Sequence, residues 1–174
     1  EPLHPSLSEQ EEVSKKLSNH FYLNNQKLAQ EIRVISNEDC SSSFPSLDIS
    51  EPGLVVVGPW RGSSKNLRPF RQALHKWQSI TGWPIFADPL SGVPINQPGL
   101  IGNWELLLKS GLSIPQEELQ ILRLGPMPVS RTLQDWLVGI RKKQVLITEG
   151  DARKLDPLRL SSQWSDGFVS WLRI

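Results

Sequence analysis

The sequence predicts an α/β fold of the Rossmann-like, doubly wound kind: a mainly parallel sheet flanked by helices. From Gly53 onward, short apolar runs alternate with longer amphipathic stretches, the pattern of repeated strand and helix units. Each run closes on Gly, Asp or Glu, and Gly and Asp are common turn formers at strand exits. Within the runs Val, Ile and Leu fall on consecutive positions, so both strand faces are apolar, as burial between two helix layers requires.

Taken in order, residues 1–6 contain two prolines and read as an extended connector. Ser8 with Glu11 forms a capping box, and Val13, Leu17 and Phe21 support a helix to about Tyr22. Residues 31–35 read equally as a continuation or a short strand, and residues 36–52, with Ser41, Ser42 and Ser43, as a flexible loop. The first strand is Leu54-Val55-Val56-Val57, closed by Gly58-Pro59. A helix follows with Phe70, Leu74 and Trp77 inward, Ala73 and Ile80 beside them, and Gly82 as its stop. Pro84-Ile85-Phe86-Ala87 is the second strand, ending at Asp88, and residues 100–109 form a short helix carrying Leu106 and Leu107. The third strand is 119–124. After the Gly125-Pro126-Met127-Pro128 loop, a helix over 131–142 turns Leu133, Trp136, Leu137 and Ile140 inward. Residues 144–148 make the fourth strand, turned out at Glu149-Gly150. The expected organisation is one domain over 1–174: connector, helix and loop over 1–52, and a parallel α/β core over 53–174.

Composition narrows the function. With 174 residues, 38% hydrophobic, the chain is long enough to close one core. Cys40 is the single cysteine, so no internal disulfide forms, and with His4, His20 and His75 scattered no metal cage is apparent; a reducing, cytoplasmic setting is expected. No apolar run reaches the length of a membrane span. The start, Glu1-Pro2-Leu3-His4-Pro5, is unlike a signal peptide and reads as the interior of a longer polypeptide. Residues 1–52 hold 4 basic and 9 acidic side chains, net −5, and the remainder 15 and 9, net +6. That balance favours small anionic ligands near the second part. It falls short of the dense basic patch of a nucleic-acid binder.

In open α/β sheets the carboxyl ends of the strands collect their loops into one crevice, so 58–61, 88–94, 125–131 and 149–156 are expected on one edge. Ser130 is a natural N-cap and Arg131 opens the helix behind it, an arrangement suited to a carboxylate; a purely structural loop explains the same residues. Asp88 is either a ligand-facing carboxylate or an Asx turn, with the turn favoured. Trp60 could cover a ligand or an adjoining domain, and Ser91 and Met127 join it and Asp88 as candidate crevice-lining residues. Glu149 to Arg153 reads as an acidic turn with a local ion pair rather than an acid/base catalyst. The absence of Gly-x-Gly-x-x-Gly, a phosphate loop and a Gly-x-Ser-x-Gly elbow speaks against dinucleotide binding and nucleophilic catalysis.

Three stretches carry a resemblance: Gly82-Trp83-Pro84-Ile85-Phe86-Ala87-Asp88-Pro89-Leu90-Ser91-Gly92, then 122–131 with Leu133-Gln134-Asp135-Trp136, then 146–158. Together they resemble the middle domain of the thiamine-diphosphate-dependent 2-succinyl-5-enolpyruvyl-6-hydroxy-3-cyclohexene-1-carboxylate synthases. The resemblance implies an enzyme joining decarboxylated 2-oxoglutarate to isochorismate in menaquinone or phylloquinone biosynthesis, with thiamine diphosphate and Mg2+ held by the first and third domains. The partners it implies are those N- and C-terminal domains, further copies in a homo-oligomer and small anionic substrates. This chain alone is then expected to bind no cofactor or metal and to turn nothing over. By the same resemblance, Arg131, with Ser130 before it, occupies the position from which the middle domain contacts substrate carboxylates. A regulatory module that binds a pathway acid, and an inert spacer, are the rival readings.

Overall fold

The computed structural model describes residues 44–110 and 116–173. The expected connector, the helix over 8–22, the ambiguous 31–35 and the 36–43 part of the loop lie outside the described residues.

Among the described residues five strands form one sheet in the order β2-β1-β3-β4-β5, every neighbouring pair parallel. They are β1 (Gly53–Val57), β2 (Ile85–Ala87), β3 (Gln120–Leu124), β4 (Gln144–Ile147) and β5 (Ser161–Trp164). The helices are α1 (Ser64–Thr81), α2 (Trp104–Lys109), α3 (Arg131–Val138) and α4 (Phe168–Trp171). The expected α/β class and its parallel sheet are therefore present, with β5 and α4 standing beyond the elements expected over 53–174. β5, Ser-Ser-Gln-Trp, is polar and only partly buried, which is why it shows no apolar run.

Helices cover both faces. On one, α1 packs with α4, joining Phe70, Leu74 and Trp77 to Phe168 and Trp171. Trp77 is the hub, with ring centroids 5.4 Å from Trp83 and 5.3 Å from Trp171. On the other, α2 packs with α3 over a core of Leu54, Val56, Phe86, Trp104, Ile121, Leu133 and Leu137. β1, β3 and β4 are buried at every position, the polar Gln120, Arg123 and Gln144 among their apolar residues included.

Local chemistry sets the helix ends. Ser63 caps α1 by accepting from Lys65 N–H, and Gly82, at φ +67°, ends it as expected. Ile80, expected near the buried face, is exposed. α2 begins at Trp104 rather than 100, and α3 stops at Val138 rather than 142, with Gly139 as its C-cap. Ile140 is nonetheless buried in the α2/α3 layer.

The end of the expected flexible loop is tied to the sheet. Gln120 accepts from Asp48 N–H and donates to Asp48 O, Trp171 Nε1 donates to Pro45 O, and Lys142 pairs with Glu51 at 2.9 Å. The compact unit containing the sheet begins at Pro45, ahead of the apolar strand.

Candidate functional site

The strand order reverses between β1 and β3: the chain leaves β1 toward β2, then crosses back to β3 and on to β4. Such a switch point is where ligands usually bind in open α/β sheets. Here the protein closes it with its own backbone. Gly58 N–H donates to Leu124 O at 2.8 Å, and a Cβ on Gly58 would lie 1.6 Å from the carbonyl oxygen of Pro126. The cavity left among Trp60, Phe70, Leu124, Thr148 and Glu149 is about 20 Å³, room for about one water.

Trp60 lines this cavity and packs against Phe70 at 4.8 Å, its indole N–H buried with no acceptor among the described residues. Asp88, Ser91 and Met127 do not line it. Asp88 accepts from Leu90 N–H at 2.8 Å, the Asx turn favoured from sequence. Ser91 is buried and accepts from Val93 N–H, while Met127 packs against the α2/α3 core. In the following turn Asp151 and Arg153 form the expected ion pair at 2.6 Å, and the Arg153 hydrogen bond holds the Asp151 carboxyl down to about 2. Glu149 accepts from Phe168 N–H at the start of α4.

Ser130 and Arg131 are adjacent yet differently placed. Ser130 is buried, accepts from Leu133 N–H and donates to Glu105 on α2 at 3.3 Å. It caps α3 and ties the two helices together. Arg131 extends from that rigid start with its side chain 89% exposed, its one ion pair among the described residues a 3.6 Å contact to Asp135 one turn on. It does not line the switch-point cavity.

Sequence reasoning missed the most buried ion pair among the described residues. Arg123, in mid-strand β3, is 2% exposed and donates to Asp156 at 2.6 Å. Asp156 also accepts from the N–H groups of Leu158, Leu160 and Ser161 and from the Ser161 hydroxyl. Burial pushes its carboxyl upward, but the bonds from Arg123 and Ser161 outweigh that and hold it down to about 2. The signal was present: a lone arginine in an apolar strand needs a buried partner.

The fold and edge geometry define a doubly wound α/β domain that closes its own switch point and offers a solvent-facing arginine at the strand-exit edge. Over nearly their whole length these residues match 2-succinyl-5-enolpyruvyl-6-hydroxy-3-cyclohexene-1-carboxylate synthases. The Prochlorococcus marinus (strain MIT 9313) protein is 48% identical over 98% of this chain, and that of strain MIT 9303 is 47% identical over 98%. The Synechococcus sp. (strain CC9605) protein is 51% identical over 72% of the chain. No family model matches the chain. The chain belongs to this synthase family, and it spans about 30% of the length of the curated relatives it matches.

Proposed function

We propose that the chain is the central domain of a three-domain, thiamine-diphosphate-dependent synthase of the cytoplasm that joins decarboxylated 2-oxoglutarate to isochorismate in menaquinone or phylloquinone biosynthesis. The observation that carries this is 48% identity along 98% of the chain to a synthase of which it spans 30%. By the family resemblance, Mg2+ and the cofactor are assigned to the flanking N- and C-terminal domains. Thiamine diphosphate supplies the carbanion chemistry when bound there. No described helix is long and apolar enough to cross a membrane. In a homo-oligomer this domain sets the spacing of the others.

Arg131 is the substrate contact in this reading. Its exposed, 3.6 Å pair with Asp135 costs little to exchange for a substrate carboxylate, and the cap at Ser130 fixes its backbone. An effector bound in the switch-point crevice has less support, because that cavity holds only about one water. The test is steady-state kinetics of the full-length enzyme carrying Arg131→Ala. The Michaelis constant for one carboxylate substrate should rise about tenfold. Unchanged kinetics would reject the role.

A further inference from the structure

The connection from β4 to β5 contains no helix among its residues 148–160. A parallel crossover ordinarily lays a helix over the sheet; here an irregular segment is wound around the Asp156 carboxylate. Beside it lies a depression of about 860 Å³, lined by Lys154, Asp156, Pro157, Arg159, Ser161 and Gln163.

We infer that this depression binds a small oxyanion, a phosphate or a dicarboxylate, between Lys154 and Arg159. The acid in the lining is already committed: one Asp156 oxygen accepts from Arg123 and Leu158 N–H, the other from Leu160 N–H and Ser161. Arg123 balances its charge from within the sheet. Lys154 and Arg159 are exposed, and neither forms an ion pair with an acid among the described residues. Two uncompensated cations therefore face one polar hollow. Arg159 is also the one non-glycine among the described residues at positive φ, +53°, a conformation that glycine adopts without strain. An arginine at such a position, rather than a glycine, is consistent with a use for its side chain.

Calorimetric titration of the full-length protein with inorganic phosphate and, separately, with succinate tests this site. The wild type should saturate with at least one probe, the stronger identifying the oxyanion class. Lys154→Ala and Arg159→Gly should each weaken that binding by about tenfold. Arg159→Gly relieves the backbone, so it should melt no lower than the wild type, and a loss of binding then reports the side chain rather than the fold. Arg131→Ala should bind the same probe as the wild type does, which separates this site from the proposed substrate contact. The inference is overturned if neither probe saturates, if both variants bind normally, or if Arg131→Ala abolishes the binding.

Discussion

Arg123 and Asp156, 33 residues apart in sequence, meet at 2.6 Å with side chains 2% and 7% exposed. This pair does for the β4–β5 connection what a helix does for the others. It fixes the path of an irregular segment so that β5 can align on β4. Because both charges are buried, neither can be removed alone without leaving the other unbalanced.

Asp156→Ala should therefore destabilise the protein by about 3–5 kcal/mol in denaturant unfolding. Replacing both residues with apolar ones of similar volume should recover much of that loss. A double variant no more stable than Asp156→Ala would show that the capping of backbone N–H groups by Asp156, rather than the ion pair, dominates.

Asp156 also sets an acid dependence. Its folded-state carboxyl titrates at about 2, against 3.8 for the free group, so its stabilisation is fully present above pH 4 and is lost as the pH falls through 2. That shift is worth roughly 2–3 kcal/mol at neutral pH. Unfolding free energies measured between pH 5 and pH 2 should fall less steeply for Asp156→Asn than for the wild type.

Gly58→Ala places a methyl group 1.6 Å from a backbone oxygen that cannot swing aside. The β1 and β3 exits must then separate, at a cost of about 1–3 kcal/mol. Gly102, with nothing within 4 Å of a built Cβ, is the control, and its alanine variant should melt close to the wild type.

Neighbouring residues at the start of α3 should respond unequally. Ser130→Ala removes a buried cap and its bond to Glu105, costing about 1–2 kcal/mol. Arg131→Ala, at an 89% exposed side chain, should change stability by no more than about 0.5 kcal/mol. Equal losses would mean that Arg131 is structural.

Much of the architecture was legible. The apolar runs located β1 to β4, Gly82 ended α1, and Ser130 capped α3, because strand burial and capping depend on residues a few positions apart. β5 was not legible: an edge strand exposed on one side needs no continuous apolar run, and Ser-Ser-Gln-Trp has none. The limits of α2 and α3 were overextended for a related reason, since apolar residues such as Ile101 and Ile140 pack against the core from outside the helices.

The candidate site divides the same way. By itself the sequence determined that strand exits would share one edge, that Asp88 would close a turn and that Arg131 would open a helix, all consequences of local backbone chemistry. Only the tertiary structure decided that Gly58 and Pro126 shut the switch point, that Trp60 lines what remains and that Arg123 finds Asp156. Those contacts join segments far apart in the chain, and their distances are set by how the packed sheet and helices bring the segments together, which no short-range pattern encodes.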